Sequence, residues 1–403
     1  MEDLRIQMLG RQGDGVADGP TFVPGALPGE LVRGLRDGDR LSEVKILEPA
    51  DIRVRPPCSH FNSCGGCTLQ HASDAFVAEW KADVVRQALR AQALDAEIRE
   101  TITSPPASRR RATFAARRTK KGATVGFHGR ASATILPVPN CELIDPALKQ
   151  ALAWGEDLAA VGGSRKGTLD LACTLSDNGV DLAVTGGKLL DDALRIQLTE
   201  FAARHDLARL SWDNDVVVER RAILQTFDGV SVRVPPGGFL QATDHGEQTL
   251  QSVVQQAVGG AGSVVDLFAG SGTFALPLAK SAEVHAVETD AAAVAALDRA
   301  WREAKGLKRV TSEARDLFRR PLLPDELGFD AAVIDPPRAG AAAQVAELVK
   351  SDVPLIVHVS CNPTTFAREA KTLTDAGFVL NWVQPVDQFR WSTHVELVGF
   401  FTR

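Results

Sequence analysis

Residues 354–363 read PLIVHVSCNP, and the fold follows from how that run is built. Leu355 to Val359 is short, apolar and rich in β-branched residues, and it is bounded by Pro354 and by Ser360-Cys361-Asn362-Pro363. A run of this kind forms a strand buried on both faces of a parallel sheet, closed by a turn at its carboxyl end. Ligands of open α/β sheets bind outside the carboxyl ends of the strands. Cys361 is therefore a candidate nucleophile, although a small buried thiol in a strand-to-helix turn has the same appearance.

Two further stretches repeat the pattern. Val333-Ile334-Asp335-Pro336-Pro337-Arg338 is an apolar strand ending in an acid and two prolines. Val264-Val265-Asp266-Leu267-Phe268-Ala269-Gly270-Ser271-Gly272-Thr273-Phe274 is a strand followed by glycines, which permit close backbone approach at a strand-to-helix turn. From about Gly238 onward the spacing predicts a helix over 244–258, then strand 263–267, helix 272–280, strand 283–288, helix 290–305 and strand 308–312. Strand 329–334, helix 341–351, strand 355–359 and helix 364–376 follow. Alternation of this kind predicts a doubly wound parallel sheet. Glu288 ends the second strand, where an acid can accept hydrogen bonds from ribose hydroxyls. The pair Gly270-x-Gly272-x-x-Ala275 also fits a dinucleotide fingerprint, with Glu288 at a suitable distance; together with the cysteines Cys58, Cys64, Cys67 and Cys141, it makes an iron–sulfur oxidoreductase using a nicotinamide cofactor the rival expectation.

Composition bounds the rest. The 403 residues suggest two or three domains, and the net charge of -6 confines any nucleic-acid site to a local patch. MEDLRIQMLG lacks the basic-then-apolar form of a secretory signal, and no apolar run reaches membrane length, so a cytoplasmic chain with no membrane partner is expected. A monomer is expected as well. Residues 1–54 alternate short apolar runs with Gly and Pro turns, which predicts a small β-barrel. Asp74 to Leu94 has helical spacing behind a Ser73 or Asp74 cap.

Four of the six cysteines, Cys58, Cys64, Cys67 and Cys141, lie between positions 58 and 141. In a reducing compartment that grouping points to metal, and thiolate ligation alone admits zinc, an iron–sulfur cluster or unligated core thiols. Residues 101–140 contain no acid but carry Arg109, Arg110, Arg111, Arg117, Arg118, Lys120, Lys121 and Arg130, with Phe114 and Phe127 interleaved. They form a candidate phosphate track with a stacking face, or a solvated charged face that supports the cysteines. The rest of 142–235 reads as α+β, with strands on either side of Ser176-Asp177-Asn178-Gly179.

Taken together, these motifs resemble the class I S-adenosylmethionine methyltransferases, and specifically the RNA uracil-5-methyltransferases. Asp335-Pro336-Pro337-Arg338 is similar to the family's acid-proline motif, Ser360-Cys361-Asn362-Pro363 to its nucleophile loop and His394-Val395-Glu396 to its catalytic glutamate motif. Phe239-Leu240-Gln241 and the cysteine grouping extend the match across nearly the whole chain. Gly13 to Glu30 resembles a TRAM domain, and the cysteine spacing resembles the family's four-iron, four-sulfur (4Fe-4S) site. The resemblance implies three regions: a TRAM-like barrel over 1–54, a central RNA-binding domain with the cluster over 55–235, and a Rossmann-like methyltransferase domain over 236–403.

The resemblance also implies roles. Cys361 would be the nucleophile and Glu396 the base. Gln241, Phe268, Gly270, Thr273, Glu288, Asp316 and Asp335 would hold S-adenosylmethionine, and Cys58, Cys64, Cys67 and Cys141 the cluster. Thr273, Ala269 and Arg390-Trp391 depart from the residues usual in the family. The implied substrate is a uridine in a loop or single strand of RNA, since a base must be unstacked to meet a thiol. A TRAM-like barrel together with the cysteines implies the 23S ribosomal RNA branch, with transfer RNA as the alternative.

Overall fold

The computed structural model describes residues 1–403. Five strands between Glu2 and Glu48 close into a barrel around Ile6, Ala17, Val23, Ala26, Val32 and Leu41. Closure removes the free strand edges that so small a sheet would otherwise expose. Below it, a seven-stranded sheet runs from Ile135–Leu136 through Ala123–His128, Arg111–Arg118, Leu169–Ser176, Gly179–Thr185 and Arg209–Trp212 to Asp215–Glu219. Helices Ala151–Val161 and Asp192–Arg204 bury their apolar faces against it.

The C-terminal sheet is built from β1 (Ser263–Leu267), β2 (Glu283–Glu288), β3 (Val310–Ala314), β4 (Ala331–Ile334), β5 (Leu355–Ser360), β6 (Val379–Asp387) and β7 (Glu396–Thr402), in spatial order 3-2-1-4-5-7-6. Strands β1 to β5 pair in parallel, and β7 inserts antiparallel between β5 and β6. The order reverses between β1 and β4, which opens a crevice at their carboxyl ends. Val264, Val333 and Val357 face one core, while Val265, Ile334 and Ile356 face the other. Burial on both faces explains the continuous apolar runs of the sequence.

Three features depart from expectation. The helix expected over 272–280 is regular only across Ala275–Leu278, because Gly270 and Gly272 hold positive φ (55° and 99°) and the chain meets Pro277. The sheet is not wholly parallel, since β7 is reversed. Helix Asp74–Arg90 packs on helix Pro363–Asp375, and Glu97–Ile98 and Ile102–Thr103 pair with β6, so these middle-segment residues join the C-terminal core. No helix is long and apolar enough to cross a membrane.

Candidate active site

Cys361 sits where β5 becomes helix Pro363–Asp375. The Asn362 side chain accepts the Thr364 amide as N-cap, and Pro363 occupies the first turn, where its missing N–H costs nothing. Ser360 pairs with Leu397 across β5 and β7, so Cys361 and Glu396 adjoin at the ends of neighbouring strands. Glu396 is buried, and burial reinforced by the Asp335 charge pushes its carboxyl up to about 8, against a hydrogen bond from Gln388. The Cys361 thiol is half-buried and pushed up to about 11, chiefly by desolvation and then by Glu396 and Asp335, with Arg338 acting the other way. Asp335 follows β4 and is raised to about 7 by burial and by Glu288.

The loops around this pair are tied together. Asn362 Nδ2 donates to the Arg338 carbonyl at 3.2 Å, joining the Cys361 turn to the Asp-Pro-Pro-Arg loop. Glu369 Oε1 accepts the Ala341 amide while its Oε2 lies 2.7 Å from His358 Nε2, both side chains being buried. Gln388 Nε2 donates to Gln241 Oε1 at 2.6 Å, and Gln388 Oε1 accepts the Ala242 amide at 2.8 Å.

The other expected site residues gather along the same edge. Glu288 Oε2 accepts the Gly270 amide at 3.0 Å, and its Oε1 accepts those of Thr289 and Asp290, so one carboxylate fixes both loops. The Thr273 carbonyl accepts Gln251 Nε2. Asp316, just past β3, caps its own turn by accepting the Phe318 amide. Phe268 is held at φ 66°, strained for an aromatic residue, with its ring 5.5 Å from that of Phe318. Such a conformation persists only where the surroundings over-determine it. Phe318, Gln388 and Glu369 were not singled out in the sequence. Phe318 stands two residues beyond Asp316 and was legible from that placement, whereas the partners of Gln388 and Glu369 are remote in sequence.

The basic segment does not act as one track. Arg110 is buried and donates to Glu247, and Phe114 is buried and stacked on Phe127 at 4.9 Å, so neither is free for RNA. Arg109 and Arg111 instead line a solvent-open groove with Phe239 and Phe389. Their guanidinium carbons lie 5.3 Å from the Phe389 ring and 4.9 Å from that of Phe239, which is 67% exposed. The groove leads toward the site, because Phe389 is on the loop before Glu396 and Phe239 is two residues from Gln241.

Cys58, Cys64, Cys67 and Cys141 line one small, largely apolar pocket with Phe61, Phe127 and Val138, and none forms a disulfide. Burial and the neighbouring thiols push Cys67 up to about 12. Arg130 donates to the carbonyls of Cys67 and Phe61. No three His, Cys, Asp or Glu side chains in the structure close around a point that one metal ion could occupy.

A family model described as tRNA (uracil-5-)-methyltransferase matches residues 186–403. An RNA methyltransferase of Brucella suis biovar 1 is 45% identical over 404 residues, 99% of this chain and 97% of that one. The 23S rRNA (uracil(1939)-C(5))-methyltransferase RlmD of Shewanella piezotolerans is 31% identical over 431 residues, 99% of this chain and 95% of that one. The crystal structure of a Pyrococcus abyssi tRNA (uracil-54, C5)-methyltransferase with S-adenosyl-L-homocysteine superposes with a TM-score of 0.78 over 99% of both chains at 22% identity, a likeness of fold.

Proposed function

The chain belongs to the RNA uracil-5-methyltransferase family, and from that premise we propose that it methylates carbon 5 of a uridine in 23S ribosomal RNA through a covalent Cys361 adduct. The observation that carries this is the pairing of Ser360 with Leu397, which sets a thiol and a buried carboxyl side by side at the mouth of the crevice. Carbon 5 of uracil is a weak nucleophile. Addition of the Cys361 thiolate to carbon 6 makes carbon 5 enolate-like, so that it can take a methyl group. Glu396 then removes the carbon-5 proton, the carbon 6–sulfur bond breaks and the thiolate leaves. A carboxyl raised to about 8 suits that task, since a base is most effective when its pKa lies near the working pH.

Gln241, Phe268, Gly270, Thr273, Glu288, Asp316 and Asp335 would hold the cofactor, with the strained Phe268 and its neighbour Phe318 as apolar walls. S-Adenosylmethionine, when bound, supplies an electrophilic methyl and a positive sulfonium that favours the thiolate over the thiol. Arg109, Arg111 and Phe239 would carry the RNA strand, with phosphates on the guanidiniums and a base against the exposed ring.

The four cysteines fit a 4Fe-4S cluster. Four thiols lining one apolar pocket are the donor set that such a cluster takes. Its contribution is a crosslink between the 58–67 segment and Cys141, because methyl transfer moves no net electrons. The barrel is assigned as TRAM-like on its five-strand closure and its Gly-rich turns.

Transfer RNA is the second substrate reading, favoured by the family model that matches residues 186–403. Mapping 5-methyluridine in ribosomal and transfer RNA, with and without the gene, decides between them. Loss of a single 23S position supports the first assignment, and loss confined to transfer RNA overturns it.

A further inference from the structure

The loop that leads into Glu396 is held from outside the C-terminal sheet. Thr68 and Leu69, the two residues after Cys67, both donate their amides to the Trp391 carbonyl, at 2.8 and 2.9 Å. Asp74, at the start of helix Asp74–Arg90, accepts Arg390 Nη2 at 2.5 Å and Trp391 Nε1 at 3.3 Å. Lys81 on the same helix lies 2.5 Å from Asp387 and donates to the Phe389 carbonyl. Gly13 of the barrel is wedged alongside, where an added Cβ would come within 2.5 Å of the Thr68 methyl and 3.1 Å of that of Thr393. Trp391 itself is buried at φ 59°, a conformation a tryptophan keeps only when its surroundings impose it.

We propose that Thr68, Leu69 and Asp74 are positioning residues: they clamp Trp391 and so set the placement of Glu396, five residues on. Order in the cysteine segment is thereby transmitted to the catalytic carboxyl through two backbone hydrogen bonds that begin immediately after Cys67. The clamp rests on the assignment of Glu396 as base, and its link to the cluster rests on the assignment of the cysteines. Small misplacements of a base are costly, so a loosened loop slows proton removal before it affects cofactor binding.

Hydrogen–deuterium exchange on the full chain tests this. Asp74→Ala is expected to raise exchange across 387–394 while leaving 263–290 and the affinity for S-adenosylhomocysteine as in wild type. Single-turnover release of methylated RNA from the adduct should slow by about tenfold, short of the 10²–10⁴-fold a base contributes. Asp74→Glu should restore both. Removing iron from the wild-type protein with a chelator should raise exchange in the same loop. Unchanged exchange across 387–394 in Asp74→Ala overturns the proposal, as does a rise spread evenly over the chain. A confined rise with normal adduct release overturns the positioning role, and Glu396→Gln, which removes the carboxylate itself, decides separately whether Glu396 is the base. Protein with no iron to remove counts against the cluster, and the Asp74 variants still decide the clamp.

Discussion

Arg110 donates to Glu247 at 2.6 Å, with both side chains almost wholly buried between the middle sheet and helix Asp244–Val258. Burial pushes Glu247 up to about 7, with the guanidinium opposing it. Removing one partner of such a pair strands the other, so this arginine is a structural joint.

The three consecutive arginines should therefore separate in experiment. Arg110→Ala is expected to destabilise the fold by about 3–5 kcal/mol in chemical denaturation, the usual consequence of orphaning a buried charge. Arg109→Ala with Arg111→Ala should cost less stability than Arg110→Ala, since the pair removes hydrogen bonds to the Arg111 and Leu240 carbonyls but orphans no buried charge. That pair should weaken RNA binding and flatten its salt dependence by about 0.7 in log–log slope for each lost single-strand phosphate contact. An unaltered slope would remove the groove from the RNA path.

The cysteine cavity makes a chemical prediction. Anaerobically purified protein should be brown and carry iron and sulfide, and Cys67→Ser or Cys141→Ser should lose the colour. Colourless protein with stoichiometric zinc would contradict it.

Burial of Glu396 makes a prediction about stability. Its carboxyl is raised from 4.5 to about 8 in the folded chain, so the native state holds the proton more tightly than the unfolded state. The stability it contributes is fully present below about 4.5 and is lost as pH rises toward 8. Glu396→Gln cannot ionise and escapes that loss. In cofactor-free protein the variant should melt higher than wild type, with a gap that widens from pH 5 to 8 and is level above. A gap that does not depend on pH would show that the carboxyl is not shifted.

Much of the C-terminal fold was legible because β1, β4 and β5 are buried on both faces and so read as unbroken apolar runs ending in Asp266-Leu267, Asp335 and Cys361. The reversal of β7 was not, since a lone strand pattern carries no information about its partner. Family membership, suggested by Asp335-Pro336-Pro337-Arg338 and Ser360-Cys361-Asn362-Pro363, is upheld by the relatives and sets aside the nicotinamide alternative. Charge counting failed at Arg110, because its counter-ion, Glu247, is 137 residues away and invisible to local composition. It failed again at Phe114, whose ring is in the core of the middle sheet. The convergence of Cys141 with Cys58, Cys64 and Cys67 was legible only as cysteine content; the cavity that unites them depends on tertiary packing.

Cys361 and Glu396 divide the labour between addition and elimination, and trapping the adduct separates the two roles. Glu396→Gln, incubated with RNA and methyl-labelled cofactor, should yield a slow-migrating protein–RNA band on denaturing electrophoresis that carries the label and maps to Cys361. The band should decay slowly, because elimination without the base falls by about 10²–10⁴-fold without reaching zero. Cys361→Ala should bind RNA and give neither band nor methylated product. Normal turnover by Glu396→Gln would rule out Glu396 as the base, and a labelled adduct on any other cysteine would rule out Cys361 as the nucleophile.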